Sequence, residues 1–151
     1  MNCMRTILLT TLVILNVHLA KGYSADSSYL FLRDSSSGFI GSYCGFGGYN
    51  EALLHFEYLV HSKRLDLVDS LLNSSNAGIQ YYAAEIILLS DSVACHAKAN
   101  EVKNRLRSKN AVLCIGGILL NGISFEAYYS EHRFRHLRRE VHRELKRMFE
   151  P

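Results

Sequence analysis

The cysteine and histidine side chains are the groups through which this chain could carry out catalysis. A thiolate nucleophile needs an imidazole beside it as the base, and Cys44 is followed by His55 and His61 in the next predicted helix. The pairing is unspecific, because a chain with four cysteines and seven histidines offers many such combinations. A nucleophilic Cys44 is therefore one hypothesis, and a structural or intermolecular cysteine is the interpretation that we favour.

A second set of possible ligands lies near the C-terminus, where His132, His136 and Glu140 are spaced four residues apart. This spacing places them on one helical face, and two imidazoles so arranged are compatible with zinc geometry. The chain has no HExxH motif, and no third strong ligand is indicated. We therefore predict exposed histidines, no bound metal and no cofactor.

Residues 43–48, YCGFGG, resemble the YCGxGG calcium loop of the secreted phospholipases A2. The resemblance implies a loop whose backbone carbonyls, with a following Asp, hold calcium beside a histidine that activates water. No CCxxH-Asp stretch follows, and Lys63 and Arg64 occupy the region where the family has its His-Asp pair. A cation there would oppose calcium binding. We favour a flexible glycine loop and keep a small secreted hydrolase or lipid-active protein, using the Cys44 loop, as an alternative function.

The C-terminal segment contains the one concentration of basic residues in the chain. Its apolar residues recur at the spacing of a helix that docks along a partner surface; they are Phe134, Leu137, Val141, Leu145 and Met148. Acidic residues are interleaved with the basic ones, which favours a solvated face with intrahelical ion pairs over a membrane or polyanion surface. The candidate contacts for an anionic surface are Arg133, Arg135, Arg138, Arg139, Arg143, Lys146 and Arg147.

Residues 1–22 have the pattern of a secretory signal peptide, with Arg5, a short apolar run and then small residues. The apolar run is shorter than the roughly 20 residues that a membrane span needs, so we favour cleavage over an uncleaved anchor. The predicted location is secreted or periplasmic. Without Arg5 and Lys21, 15 of the 17 basic residues remain against 14 acidic ones. This near-neutral balance does not support nucleic-acid binding.

Three cysteines would remain after cleavage, in a compartment that favours disulfides. We predict that Cys95 pairs with Cys114, because both lie in predicted helices that would be neighbours. Cys44 would then be a free thiol or would bridge to a second chain, which makes a disulfide-linked dimer possible. With one disulfide in a domain of about 130 residues, the apolar core must stabilise the fold.

The remaining chain divides into an arm and a helical body. Residues 23–49 are rich in Ser and Gly with scattered aromatics, and they predict an arm without regular secondary structure that lies on the body. Short β pairing around Tyr29 to Leu32 is the alternative. From Asn50 the apolar residues take helical spacing, which predicts a single helical domain over residues 50–150. The predicted helices cover residues 50–64, 65–74, 77–90, 93–108, 110–122 and 125–150, with Asn76 and Ser124 as N-caps of the third and the last.

The helix predicted over residues 110–122 is almost wholly apolar, so we expect it to be the central, buried one. Gly122 would end it as a C-cap. The pair Gly116-Gly117 favours close packing between helices, with close approach of a ligand as the alternative.

Residues 67–89, LVDSLLNSSNAGIQYYAAEIILL, resemble one helix pair of a HEAT-like repeat. The resemblance rests on a short polar turn between two apolar helices and on small Ala83 and Ala84 at their contact. It implies a protein-binding surface built from stacked helices. No second copy follows at a fixed period, so an extended solenoid is not expected.

The predicted fold is an all-α, compact bundle of five or six helices with one HEAT-like pair, preceded by the Gly/Ser-rich arm. The predicted function is an exported, non-catalytic protein-interaction or scaffold module whose partner is another protein. Binding to an anionic surface through the basic C-terminal helix is the second alternative.

Overall fold

The computed structural model describes residues 24–35, 39–44 and 48–150. The predicted signal peptide and residues 45–47 of the glycine loop lie outside this part of the chain. Its seven α-helices are α1 (Ala25–Asp34), α2 (Glu51–His61), α3 (Leu65–Ser70), α4 (Ala77–Leu89), α5 (Val93–Leu106), α6 (Phe125–Ser130) and α7 (Arg135–Arg147). Two antiparallel hairpins pair β1 (Tyr43–Cys44) with β2 (Gly48–Tyr49), and β3 (Asn110–Ile115) with β4 (Ile118–Ser124).

The prediction of a helix over residues 110–122 is wrong, and the fold is therefore mostly helical but not all-α. This segment forms the β3–β4 hairpin, with Ile115 opposite Ile118. Gly116 and Gly117 form its two-residue turn with φ values of +57° and +84°. Positive φ at both central residues is the requirement of a type I′ turn, which glycine meets without steric cost. The two glycines are thus turn residues, not helix-packing residues.

Gly122 does not end a helix either. It lies in β4 with a φ of +74°, where the strand register shifts between Ala111 and Leu113. A glycine with positive φ is typical of a bulge that places one extra residue in a strand. The bulge lets β4 lead directly into α6, whose N-cap Ser124 accepts a hydrogen bond from the Ala127 amide as the sequence predicts.

The arm contains regular structure, contrary to the prediction. Ser24 and Ser27 form a reciprocal capping box that begins α1, and α1 packs against α2 through the buried Ser28 and Leu32. The expectation that the arm lies on the helical body is confirmed, because Leu32 and Ile40 belong to the common hydrophobic core. Serine lowers helix propensity but is favoured at the N-cap, which the composition argument overlooked.

The central helix is α4. It packs against α3, α5 and α7, and nine of its 13 residues are buried. The Asn76 side chain accepts hydrogen bonds from the Gly78 and Ile79 amides, which confirms the predicted N-cap. Helices α2 to α5 all begin close to their predicted first residues. The HEAT-like relation of α3 and α4 stays a prediction.

The long predicted C-terminal helix is interrupted at Glu131 and becomes α6, a short 3₁₀ helix (His132–Phe134) and α7. Its apolar stripe, from Phe134 to Met148, is buried in the core of this protein. The stripe therefore docks α7 onto its own body, and no external partner is needed to cover it. None of the described helices combines the length and apolar character needed to cross a bilayer.

The disulfide joins Cys44 to Cys114, so the predicted Cys95–Cys114 pairing is wrong. Residues 39–44 run alongside β3, where the Ile40 amide donates to the Val112 carbonyl and the Cys114 amide donates to the Ile40 carbonyl. This pairing places Cys44 next to Cys114, with a Cα–Cα distance of 5.6 Å. Cys95 is a free, half-buried thiol on α5. Cys44 is thus neither free nor available for a disulfide-linked dimer.

Candidate functional site

A concave surface between α5 and α7 is lined by several basic side chains. Helix α4 packs against both of these helices and forms the floor with Tyr81 and Glu85. Lys103 of α5 and Tyr129 of α6 line one side. The α7 side is lined by Arg135, Arg138, Arg139, His142, Arg143 and Lys146. We call this surface the cationic groove; its volume is about 620 Å³, which is within the usual range for ligand sites.

Four cations of α7 in this groove have side chains without a hydrogen-bond or ion-pair partner in the described part of the chain. They are Arg135, Arg139, Arg143 and Lys146, which we call the free-cation row. Their spacing of four, four and three residues places them on one stripe, about 16 Å long at the rise of an α-helix. The stripe is solvent-exposed, as predicted, but the predicted intrahelical ion pairs do not form along it, whereas Arg147 pairs with Glu144 elsewhere on α7.

The other basic residues of the segment have partners outside the row. Arg133 pairs with Glu131 at 2.5 Å, and Arg147 pairs with Glu144 at 2.8 Å. Arg138 lines the groove but donates to the backbone carbonyls of Tyr128 and Glu131, so it closes the C-terminal end of α6. The seven candidate residues thus divide into four free cations and three with structural contacts.

The floor of the groove is nearly neutral, in contrast to the α7 side. The Lys103 ammonium lies 2.7 Å from the Glu85 carboxylate, and both side chains are mostly buried. Lys103 also lies 5.5 Å from the centre of the Tyr129 ring, a distance at which a cation–π attraction acts. The uncompensated positive charge of the groove is therefore confined to its α7 side.

The Tyr129 hydroxyl is buried and has no hydrogen-bond partner among the described atoms. Burial raises the pKa of this phenol above its ordinary value, and the charge of Glu85 raises the pKa further. Tyr129 therefore keeps its proton at neutral pH and remains a hydrogen-bond donor. A buried polar group without a partner costs free energy, and such a group is unusual in native proteins.

Within the described residues, Cys44 does not form a catalytic pair with His55 or His61. Cys44 is consumed in the disulfide and cannot supply a thiolate. His55 is only 5% exposed, contacts Ser28 Oγ through Nδ1 at 3.1 Å and stacks on Phe31. His61 is exposed at the last position of α2. His55 thus has a packing role between α1 and α2.

His132 and His136 line a shallow depression beside the cationic groove, together with Arg133, Arg135 and Arg139. Both histidines are exposed. Within the described residues, no cluster of three or more His, Cys, Asp or Glu side chains could hold a metal ion. Three guanidinium groups around the two imidazoles would repel a metal cation, and they extend the positive surface of the groove instead.

The arrangement is suited to holding an anion, because guanidinium groups form charge-assisted hydrogen bonds with oxyanions. The sequence indicated the basic residues of α7 but not Glu85, Lys103 or Tyr129. One signal was available: Glu85 is the sole charged residue in α4, and a carboxylate in an otherwise apolar helix requires a partner.

Comparison with known proteins gives no family to which the groove can be assigned. No protein-family model matches the chain, and no curated protein or solved structure matches it either.

Proposed function

We propose that this protein is an exported, non-catalytic interaction module that holds an acidic partner, in the simplest case another protein, in the cationic groove. The observation that carries the proposal is the free-cation row, in which Arg135, Arg139, Arg143 and Lys146 share one stripe without internal partners. Surface cations that lie together repel one another, and a bound anionic partner relieves that repulsion.

Export is supported by two features of the chain. Residues 1–22 have the pattern of a signal peptide. The Cys44–Cys114 disulfide is compatible with an oxidising, extracellular environment. Cys44 is held in the disulfide and supplies no thiolate nucleophile, and the free-cation row leads us to place function in binding.

Binding to an anionic membrane surface is the second candidate, and the exposed cations of α7 favour it. A flat bilayer contacts protruding surfaces more readily than concave ones, whereas the free cations line a groove. We therefore prefer a partner that enters the groove. Titration with an acidic peptide and with anionic vesicles can separate the two candidates.

The test uses two triple variants of the mature protein that remove the same formal charge. The groove variant carries Arg139→Gln, Arg143→Gln and Lys146→Gln. The off-groove variant carries Lys63→Gln, Arg105→Gln and Lys109→Gln, three exposed cations that also lack side-chain partners in the described structure. Each protein is titrated with an acidic peptide, a sulfated polysaccharide and vesicles of anionic lipid, at low and at physiological salt.

We expect at least one anionic ligand to bind the unsubstituted protein, with an affinity that falls as salt rises. The groove variant should lose most of this affinity, and the off-groove variant should keep it. The proposed function is wrong if no anionic ligand binds, or if the two variants weaken binding equally. Equal weakening would mean that only net charge matters, not the groove.

A further inference from the structure

We infer that the cationic groove is built for an acidic amphipathic helix of a partner protein. This inference rests on the proposed function and specifies the partner of the same site. The groove has different chemistry on its three sides: a free-cation row on α7, an aromatic and ion-paired floor on α4 and α6, and Lys103 with a neutralised charge on α5. A ligand that fits must be acidic along one edge and apolar beneath.

The length and spacing of the row match a helical ligand. Arg135, Arg139 and Arg143 repeat every four residues, so their axial separation is about 6 Å. Carboxylates at every fourth position of a second helix have the same separation. A partner helix lying along α7 can therefore form successive ion pairs with the row without a change of register.

The floor explains why a uniformly charged polymer fits less well. The floor offers mainly apolar and aromatic surface, and its one carboxylate, Glu85, is already paired with Lys103. The anionic groups of a uniformly charged polymer therefore find no free cation there. Most of the surface that lines the groove is apolar. An amphipathic helix can cover this surface while its acidic edge faces α7, which is the usual mode of helix-in-groove recognition.

The Tyr129 ring adds to the aromatic lining of the groove. Its hydroxyl is buried and has no hydrogen-bond partner among the described atoms, so the ring is the part of this side chain that a ligand would meet. An apolar side chain of a bound helix can pack against this ring.

The probe for the test is a designed peptide of about 18 residues, long enough to be helical on its own. It has Glu at every fourth position on one edge, Leu on the adjacent face and one Trp within that face. The protein contains no Trp, so all Trp emission reports the environment of the peptide. The control peptide has the same composition, with its Glu residues distributed around the whole helix.

We expect the amphipathic peptide to bind with a blue shift of its Trp emission, and the control peptide to bind at least about fivefold more weakly. The groove variant should weaken binding about tenfold, as expected for the loss of three exposed ion pairs. The off-groove variant should weaken it less than about twofold.

Two results would overturn the inference and leave the proposed function intact. One is tighter, groove-dependent binding of the sulfated polysaccharide or of anionic vesicles, because the partner would then be a polymer or a membrane. The other is equal binding of the two peptides through the groove cations, because amphipathicity would then be irrelevant. If no ligand of any class depends on the groove cations, the inference and the proposed function both fail.

Discussion

Cys44 and Cys114 are joined by a disulfide across 70 residues of sequence, and the bond ties the N-terminal segment to strand β3. Strand β3 receives residues 39–44 on one side and β4 on the other, so three parts of the chain meet there. The disulfide therefore connects the N-terminal region to the core through β3.

Removal of this disulfide should destabilise the protein substantially. Closing a loop of this length restricts the unfolded chain, so the double variant Cys44→Ala with Cys114→Ala should lose about 2 to 5 kcal/mol of unfolding free energy. Cys95→Ala removes the free thiol and serves as the matched control, with an expected loss of about 1 kcal/mol or less. Urea denaturation without reductant measures the unfolding free energy of both variants. Equal losses in the two variants would contradict the Cys44–Cys114 pairing.

A substitution at Gly41 should be costly because the backbone approaches β3 closely there. A Cβ atom at this position would lie 2.8 Å from the Cys114 carbonyl oxygen, and the φ of +141° is strained for any other residue. We expect Gly41→Ala to lower the unfolding free energy by about 2 to 4 kcal/mol.

Gly116→Ala is the control for Gly41→Ala. Gly116 also has a positive φ, but no atom lies within 4 Å of the added Cβ. The expected loss is about 1 kcal/mol, from the backbone conformation alone. If thermal denaturation shows both variants to be equally stable, the close contact at Gly41 does not matter for the fold.

The buried pair Asn50 and Tyr82 should contribute strongly to stability. The Asn50 amide donates to the carbonyls of Phe39 and Gly41 at 2.9 and 3.0 Å, and the Tyr82 hydroxyl accepts a hydrogen bond from the Gly41 amide at 2.9 Å. Asn50→Asp replaces these donated bonds with repulsion and should cost about 3 kcal/mol. Tyr82→Phe should cost about 1 to 2 kcal/mol.

Tyr43→Phe tests whether the Tyr82 effect comes from the buried hydroxyl. Tyr43 is 58% exposed, so loss of its hydroxyl should change the unfolding free energy by less than about 0.5 kcal/mol. Chemical denaturation of the three variants at neutral pH compares them directly. A Tyr82→Phe variant as stable as Tyr43→Phe would mean that the network around Asn50 is dispensable.

The stability of the protein should fall below neutral pH because of His55. Burial lowers the pKa of this imidazole, and Glu51 offsets part of the shift. The unfolded chain therefore binds a proton at a higher pH than the folded chain does. The contribution of His55 to the unfolding free energy is complete above the pKa of the unfolded chain, about 6.5. It declines as the pH falls from there towards the pKa of His55 in the folded protein.

The measurement is the unfolding free energy of the mature protein at several pH values between neutral and mildly acidic. His55→Gln should flatten this pH dependence, since glutamine does not titrate. His61→Gln removes an exposed imidazole from the same helix and should leave the dependence unchanged. A pH profile that is identical in the unsubstituted protein and in His55→Gln would show that another group is responsible.

Local signals in the sequence were sufficient for most of the helices. Asn76 and Ser124 cap α4 and α6 as predicted, and Asn50 caps α2 in the same way. An N-cap depends on a side chain and amides only two or three residues away. The apolar stripe of α7 was predicted for the same reason, since helical spacing is visible within a few turns. In the β3–β4 hairpin the decisive signal was also local: Gly116-Gly117 between β-branched residues favours a tight turn.

Tertiary structure alone decided the disulfide and the site. Cys44 lies near Cys114 because residues 39–44 pair with β3, a contact across 70 residues that no local pattern encodes. The sequence indicated seven basic residues in the C-terminal segment, but only the packing determined which of them remain free. Arg138 is used to close α6, whereas Arg139 faces the groove. The free-cation row exists because long-range contacts bring α4, α5 and α6 beside α7, and such contacts depend on the whole chain.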